Sequence, residues 1–286
     1  MKFAKYHGLG NDYLVVEPGA LGGEDPVRLA PVLCHRNYGI GSDGVLLGPL
    51  PSQRADFAMR ILNPDGSEAE KSGNGLRIFA RYLYDTRRVT DAPFVIETKG
   101  GLAEARVLPQ VQLIQMGMGQ ASFDSQVVGI RGPRRDVVAE EMEFAGRTLR
   151  CSGVSVGNPH CVICCVAVTE AEARALGPVV ENDPRFLGRT NVQLLRVIDR
   201  ANIEIQIWER GAGYTLASGS SASAAACAAR RLDLCDGKVT VHMPGGPLAV
   251  EIDAEYRVTQ TGPATKVAEG QLAPESWRAH ATWQRD

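Results

Sequence analysis

The chain lacks the features of several large classes of protein. It has 31 Lys and Arg against 33 Asp and Glu, a formal net charge of -2, and therefore no basic excess of the kind that binds nucleic acid. Its long apolar runs, such as residues 162–168, are far too short to span a bilayer. The first residues lack the apolar core of a secretory signal. We therefore expect a cytoplasmic protein without a nucleic-acid or membrane partner.

Residues that could bind a metal are also few. The 7 cysteines have mostly apolar neighbours, and the pair Cys161-Val-Ile-Cys164 has only His160 nearby as a further zinc ligand. Flanking Val and Ile residues are typical of a buried strand, whereas a redox dithiol usually opens a helix. We interpret the cysteines as buried thiols in a reducing compartment and predict no metal site.

One order of segments occurs twice along the chain. A strand pattern at 56–62 precedes Ser72-Gly-Asn-Gly and a helix pattern at 76–85. The alternating strand 202–208 and a glycine-containing turn precede Ser218-Gly-Ser-Ser and an alanine-rich helix from 222 to about 232. The two serines lie about 146 positions apart. We predict two similar α+β domains, with a linker between about 115 and 150, where charged residues are dense.

The two helix starts indicate a chemistry. A helix N-terminus has unpaired N–H groups and about half a positive charge, and a glycine there lets a ligand carboxylate approach the backbone. Two such starts facing one cleft would hold an α-carboxylate and stabilise the charge that develops when the adjacent carbon loses a proton. Inversion at that carbon needs an acid/base group on each face, which a duplicated site supplies. The competing interpretation is that each serine only caps its helix.

Eight motifs together resemble diaminopimelate epimerases from end to end. They are His7-Gly-Leu-Gly-Asn-Asp12, His35-Arg-Asn-Tyr-Gly-Ile-Gly-Ser-Asp-Gly44, Asn63-Pro-Asp-Gly-Ser-Glu68, Ser72-Gly-Asn-Gly-Leu-Arg77, Gly157-Asn-Pro-His160, Arg189-Thr-Asn-Val192, Trp208-Glu-Arg-Gly-Ala-Gly213 and Glu269-Gly270. The resemblance implies an α+β fold of two pseudo-symmetric domains, each a central helix wrapped by β-strands, with the active site in the cleft between them. We expect residues 1–118, completed by 264–286, to form one domain and 119–263 the other.

The same motifs imply the site residues and the partners. The catalytic positions are Ser72, Ser218, His160 and Tyr214. The distal end of the substrate would contact Glu209 and Arg210, with the amides of Asn11, Asn63, Asn158 and Asn191. Its proximal carboxylate would lie on backbone N–H groups of Gly73, Asn74, Gly219 and Ser220. The resemblance implies a small amino-acid substrate, no pyridoxal phosphate, metal or other cofactor, and a homodimer as one assembly that the chain could form.

Three positions depart from the family pattern at the reaction centre. The family has cysteine where this chain has Ser72 and Ser218, and glutamate where it has Tyr214. A thiol has a pKa of about 8.5, and a helix start lowers it by up to roughly 1.5 units. An alcohol begins near the value of water, about 15.7. Ser72 therefore needs a partner that takes its proton, and His160 is the candidate within the matched motifs.

We predict a cofactor-independent epimerase or racemase that acts at the α-carbon of diaminopimelate or a related amino acid, in lysine biosynthesis. Two alternatives stay open. One is a dehydratase or other lyase on the same scaffold, and the other is a non-catalytic homologue that binds an amino acid. Deuterium exchange at the α-carbon separates the epimerase from the binder, and loss of water from a β-hydroxy substrate would identify the dehydratase.

Overall fold

The computed structural model of the chain describes residues 1–276. The α-helices are α1 Pro26–Cys34, α2 Gly73–Asp85, α3 Ser125–Val128, α4 Glu170–Glu181 and α5 Gly219–Arg231. The strands are β1 Lys2–Gly8, β2 Asn11–Val16, β3 Val45–Leu50, β4 Phe57–Leu62, β5 Glu68–Ala69, β6 Phe94–Thr98, β7 Gly101–Leu108, β8 Leu113–Gln120, β9 Glu140–Phe144, β10 Arg147–Ser155, β11 Pro159–Cys164, β12 Asn191–Asp199, β13 Asn202–Glu209, β14 Gly213–Thr215, β15 Lys238–Met243, β16 Gly246–Ile252, β17 Arg257–Pro263 and β18 Thr265–Gln271. Among these residues, no helix combines the length and apolar character that crossing a bilayer requires.

The chain divides into two compact units. Unit 1 comprises Met1–Met116 together with the chain from Pro263, and unit 2 comprises Gly117–Gly262. The segment 264–286, which we expect to complete the first domain, lies partly outside the described residues, because the description ends at residue 276.

In unit 1, a curved set of strands surrounds helix α2. The strands pair in the order β18, β1, β2, β3, β4, β6, β7, β8, and β5 forms a short pair with β4. Only β2–β3 and β4–β6 among these pairs are parallel. Helix α2 lies against β1, β2, β3 and β7. Its residues Leu76, Phe79 and Leu83 recur at helical spacing and are fully buried, which fixes the helix in the core.

Unit 2 has the same pairing pattern. Its strands follow the order β9, β10, β11, β12, β13, β15, β16, β17, with β14 beside β13, and the parallel pairs β11–β12 and β13–β15 occupy the corresponding places. Helix α5 corresponds to α2 and is buried along residues 221–229, since its small side chains let strands approach on every side. The predicted α+β fold of two pseudo-symmetric domains, each with a central helix, is confirmed.

The chain passes from unit 1 to unit 2 between Met116 and Gly117, inside the range 115–150 expected for the linker, but most of that range belongs to regular elements. That segment contains most of β8, all of α3 and β9, and the first residues of β10. In β9 the acidic residues alternate with Met142 and Phe144, which are buried, while Glu141 and Glu143 are exposed. The density of charge therefore belongs to the solvent-facing side of an amphipathic strand and does not mark a connection between domains.

Candidate active site

Helix α2 begins at a buried position in unit 1, directly after Ser72. Ser72 has an extended backbone (φ -137°, ψ 118°), and its Oγ accepts a hydrogen bond from the N–H of Gly75 at 3.1 Å. Gly73, Asn74 and Gly75 are buried, whereas Ser72 itself is partly exposed. Ser72 is therefore an N-cap at the edge of a buried first turn. The same Oγ lies 3.2 Å from the hydroxyl oxygen of Tyr13, which is 8% exposed.

A line of hydrogen bonds fixes the amides around this helix start. The buried guanidinium of Arg77 donates to Oδ1 of Asn74 at 2.6 Å, so that Nδ2 of Asn74 points to Oδ1 of Asn11, 3.0 Å away. Nδ2 of Asn11 in turn donates to Asp43 at 2.8 Å. Burial lowers the pKa of Arg77 to about 10, so its positive charge persists at neutral pH beside the first turn of α2.

Charged side chains support Asn11 from the neighbouring loop. Asp12 accepts from Lys5 at 2.9 Å and from Arg36 at 2.9 Å, and Arg36 also reaches Asp43 at 2.8 Å. Burial alone would raise the pKa of Asp12, but the hydrogen bonds from these two cations hold it below its usual value. Asp12 therefore stays ionised, and Asp43 accepts hydrogen bonds that orient Asn11 and the N–H of Asp12.

Helix α5 begins in the same way in unit 2. Ser218 has an extended backbone (φ -145°, ψ 124°), and its Oγ accepts from the N–H of Ser221 at 3.3 Å. The Oγ atoms of Ser218 and Ser220 lie 3.3 Å apart. Ser218 is 4% exposed, and Gly219 is also buried. Both predicted catalytic serines therefore cap a buried helix start, and the backbone N–H groups predicted to bind a carboxylate lie in the first turn.

His160 lies next to this second helix start, but not as a base. It is fully buried, and its Nε2 lies 2.9 Å from Oδ1 of Asn158, an acceptor, so Nε2 carries the proton. Nδ2 of Asn158 reaches Oγ of Ser220 at 3.5 Å. Burial and the positive charge of Arg210 lower the pKa of His160 to about 3. The imidazole is therefore neutral and orients Asn158.

Two buried atoms between His160 and helix α5 have no hydrogen-bond partner within the described chain. They are Nδ1 of His160 and Oε1 of Gln193, while Nε2 of Gln193 lies 2.9 Å from Oγ of Ser221. If the Gln193 amide turns over, Nε2 faces the imidazole and Oε1 accepts from Ser221, and both atoms are satisfied. Gln193 then connects His160 to the helix start, a link that no motif in the sequence indicated.

The predicted distal residues occupy the end of β13. Oδ1 of Asn191 accepts from the backbone N–H of Arg210 at 2.9 Å, and its Nδ2 donates to the carbonyl of Pro159 at 2.8 Å. The guanidinium of Arg210 donates to the carbonyl of Gly188 at 3.0 Å and is partly exposed. Glu209, the last residue of β13, is also partly exposed. Asn191 and Arg210 are thus brought together, with donors left over for a ligand.

Glu181 fixes this turn from helix α4, and sequence reasoning missed it. Its buried carboxylate accepts from Nε1 of Trp208 at 2.7 Å, from the N–H of Gly211 at 2.9 Å and from Arg189 at 2.9 Å. Glu181 is 5% exposed. A carboxylate that accepts three hydrogen bonds holds the Glu209-Arg210-Gly211 turn rigidly behind its functional side chains.

Tyr214 is not brought together with Ser218. It pairs with Trp208 across β13–β14, and both side chains lie on the sheet face that α4 covers, with the guanidinium of Arg174 4.5 Å above the tyrosine ring. Helix α5 lies on the other face of the sheet. Val192 of β12 pairs with Trp208, so the next residue, Gln193, points to the opposite face, where it contacts Ser221 of α5. The hydroxyl of Tyr214 donates to Gln206 at 2.8 Å. The expected catalytic role of Tyr214 therefore has no support in its position.

The corresponding position in unit 1 explains this placement. Glu68 of β5 pairs with Leu62 as Tyr214 pairs with Trp208, and its carboxylate contacts Arg60 at 3.0 Å, just as Tyr214 contacts Gln206. In both units this position links two strands on the face away from the central helix. Asn63, at the end of β4, donates to Oγ of Ser67 at 2.9 Å and stays partly exposed.

The cysteines do not form a dithiol. All seven are free and are buried or half-buried. Cys161 and Cys164 are both in β11, where a spacing of three points their side chains to opposite faces. A hydrogen bond between the thiols of Cys151 and Cys161, together with burial, raises the pKa of Cys161, and burial raises the pKa of Cys34 to about 11. Among residues 1–276, no three His, Cys, Asp or Glu side chains are grouped so that they could hold a metal ion.

The fold of this chain, two α+β units that each surround a central helix, is similar to that of a solved epimerase. A hydroxyproline epimerase from Agrobacterium vitis, solved with bound trans-4-hydroxy-L-proline, has a TM-score of 0.71 at 16% identity and covers 96% of this chain and 92% of its own. The sequence carries the more specific relation. The diaminopimelate epimerase family model matches residues 3–123 and 153–267, and the chain belongs to that family.

Curated relatives cover almost the whole chain. Diaminopimelate epimerase 2 of Nostoc sp. is 50% identical over 96% of this chain and 96% of its own length. The diaminopimelate epimerase of Moorella thermoacetica is 41% identical over 94% of this chain and 98% of its own. The recognition of the family from its motifs is confirmed.

Proposed function

We propose that this chain is a cofactor-independent amino-acid epimerase whose substrates are LL- and meso-diaminopimelate or a closely related pair. The observation that carries the proposal is the repeated helix start, where a serine-capped, buried first turn presents backbone N–H groups in each unit. Such groups suit an α-carboxylate and the enediolate-like charge that develops beside it. The names of the curated relatives support the substrate.

The distal end of this substrate is a second ammonium and carboxylate, and the proposal assigns it to the β13 turn. Arg210 would bind the carboxylate, and Glu209 the ammonium. Asn191 and Asn158 would bind the remaining polar atoms from β12 and the β11 loop, and Asn11 and Asn63 would do so from unit 1. The hydrogen bonds that orient Asn191 and Asn158 within unit 2 support these roles.

The proton transfers are assigned to Ser72 and Ser218, one acting as base and the other as acid. His160 acts here as a positioning residue that orients Asn158, since its neutral, buried imidazole holds its Nε2 proton in a hydrogen bond. Tyr214 has no part in the reaction, because its side chain lies on the α4 face of the sheet.

The proposal also covers the domains and the setting of the protein. It treats residues 1–118 with 264–286 as one domain and 119–263 as the other, and it places the enzyme in the cytoplasm, within lysine biosynthesis. The seven free thiols support a reducing compartment. A homodimer is the proposed assembly, and sedimentation velocity of the full chain tests it.

A second candidate is an amino-acid-binding protein without catalysis. Both serine hydroxyl groups accept a capping hydrogen bond, at 3.1 and 3.3 Å, and an alcohol is a weak base. These contacts favour a site that keeps its ligand-binding turns and has lost proton transfer.

Proton NMR in deuterated water with LL-diaminopimelate distinguishes the two candidates. An epimerase loses the α-proton signal and produces the meso form, and Ser72→Ala abolishes both. Ser52→Ala is the control, because Ser52 also caps backbone N–H groups, at 2.9 and 3.0 Å, but in a different loop. Binding without exchange identifies the binder, and conversion of a β-hydroxy amino acid to a dehydrated product would identify a lyase. Either result would overturn the epimerase proposal.

A further inference from the structure

Tyr13 is a buried polar residue that the chemistry described so far does not use. Its ring packs directly on the backbone of Gly44, where an added Cβ would lie 2.7 Å from a ring carbon. Its hydroxyl oxygen lies 3.2 Å from Oγ of Ser72. The close packing of the ring against Gly44 fixes the side chain of Tyr13, and its hydroxyl group lies within hydrogen-bond distance of the proposed catalytic serine.

The internal duplication gives Tyr13 a counterpart. Unit 2 carries Gly157-Asn158-Pro-His160 before helix α5, and unit 1 carries Gly10-Asn11-Asp-Tyr13 before helix α2. Both glycines have positive φ, 89° and 103°. In each unit the asparagine contacts the second residue after the capping serine, Asn74 in one and Ser220 in the other. Tyr13 therefore occupies in unit 1 the position that His160 occupies in unit 2.

The two counterparts differ in what they can do for a serine. His160 donates its Nε2 proton to Asn158, whereas Tyr13 contacts the capping serine itself. A phenol ordinarily loses its proton near pH 10, far below an alcohol at about 15.7. In the second turn of each central helix, unit 1 has the charged Arg77 where unit 2 has the buried Ser223. The unit 1 helix start thus has both a phenol and a buried positive charge.

We infer that Tyr13 is the residue that exchanges a proton with Ser72, so that the Tyr13–Ser72 pair serves as one of the two acid/base groups of the enzyme. The inference rests on the proposed epimerase function. In the base direction, the substrate α-proton passes to Oγ of Ser72 while the hydroxyl proton of Ser72 passes to the Tyr13 phenolate, which leaves a neutral phenol, a neutral serine and the substrate carbanion. In the acid direction, both protons move back, and the phenolate is regenerated.

The test follows α-proton exchange in deuterated water against pH for the wild-type chain and Tyr13→Phe. Because the base form of the pair is the phenolate, wild-type exchange should rise with pH in an alkaline limb. Tyr13→Phe should lower the rate by about 100-fold or more and remove that limb. A fluorinated tyrosine at position 13, which is more acidic, should move the limb to lower pH.

A thiol at position 72 supplies a matched rescue. Ser72→Cys needs no phenol, so Tyr13→Phe should have little effect in that background. The control is Tyr6→Phe, since Tyr6 is also buried and its hydroxyl group donates a hydrogen bond to Asp85 at the far end of α2. If wild type exchanges and Tyr13→Phe keeps the same pH profile, the inference is overturned and the epimerase proposal stands. If wild type exchanges no substrate while binding it, the proposed function itself fails.

Discussion

The protonation state of His160 makes a quantitative prediction about stability. The imidazole is fully buried, holds its proton on Nε2 and has its pKa lowered from 6.5 to about 3. In the unfolded chain the same group takes up a proton near pH 6.5. The unfolded state therefore binds more protons as the pH falls below 6.5, and folding stability is lost over the range from 6.5 to about 3.

The size of this loss follows from the shift. Each unit of pKa difference corresponds to about 1.36 kcal/mol, so a shift from 6.5 to about 3 amounts to roughly 5 kcal/mol once the pH has fallen below 3. At pH 5 the loss relative to neutral pH is already about 2 kcal/mol. Above pH 7 the contribution to the pH dependence is close to zero, because both states then hold a neutral imidazole.

Urea denaturation at a series of pH values measures this loss. His160→Gln keeps a donor that reaches Asn158 but cannot titrate, so its free energy of unfolding should fall about 2 kcal/mol less than that of the wild type between pH 7 and pH 5. His242→Gln is the matched control, because His242 makes a similar bond to Asn202 but is only half-buried. If the free energies of unfolding of the wild type and His160→Gln fall in parallel with pH, the imidazole is not held neutral by burial. His160 would then again be a candidate acid/base group.

Two further substitutions test the packing behind the two helix starts. Gly44→Ala should destabilise the chain by about 1–3 kcal/mol in urea denaturation and slow α-proton exchange, because its Cβ would lie 2.7 Å from the Tyr13 ring. Glu181→Gln should cost about 1–3 kcal/mol, because its three donors then face a neutral amide with one acceptor atom. It should also weaken diaminopimelate binding in calorimetry, since Gly211 and the β13 turn lose their anchor.

Each substitution has a control within the chain. Gly19→Ala adds a Cβ that meets no atom within 4 Å, and should leave both stability and exchange near the wild-type values. Glu172→Gln is the control for Glu181→Gln, because Glu172 lies on the same helix but contacts Arg147 at the surface. A Gly44→Ala protein as stable as wild type would contradict the close packing of Tyr13. Unchanged binding in Glu181→Gln would contradict the role of the turn.

Local patterns were sufficient to predict the elements that build the site. The strict alternation of 202–208 appears as strand β13, and the helix pattern at 76–85 appears as most of α2. Both serines were predicted at helix starts, where a serine hydroxyl is among the best caps for free N–H groups. These features depend on neighbours within a few residues, which is why one sequence is enough to predict them.

The position and charge of individual side chains depend on longer-range pairing. Tyr214 is four residues from Ser218 in the sequence, but the strand register turns it to the face opposite helix α5. His160 follows a site motif, but only the folded sheet buries it and removes its charge. Tyr13 was missed for the same reason, although the repeat of Gly-Asn-Xaa-Tyr13 and Gly-Asn-Xaa-His160 was a readable signal.

The asymmetry of the two helix starts makes the final prediction. If Tyr13 exchanges a proton with Ser72, the Ser72 side already has a working acid/base group. The hydrogen bonds of Ser218 join it to Ser220 and Ser221, and neither a hydroxyl group nor a backbone amide loses or takes up a proton near neutral pH. Because inversion needs an acid/base group on each face, the Ser218 side should limit the rate.

A single thiol should therefore help more at position 218 than at position 72. Ser218→Cys places a group with a pKa of about 8.5 or lower at the α5 start and should raise the rate of epimerisation by about tenfold or more. Ser72→Cys should raise it less, because it replaces a pair that already transfers protons. The measurement is conversion of LL- to meso-diaminopimelate by the two single variants at one pH, with Ser52→Cys as the control. A gain at position 72 that equals or exceeds the gain at position 218 would show that Tyr13 does not support Ser72.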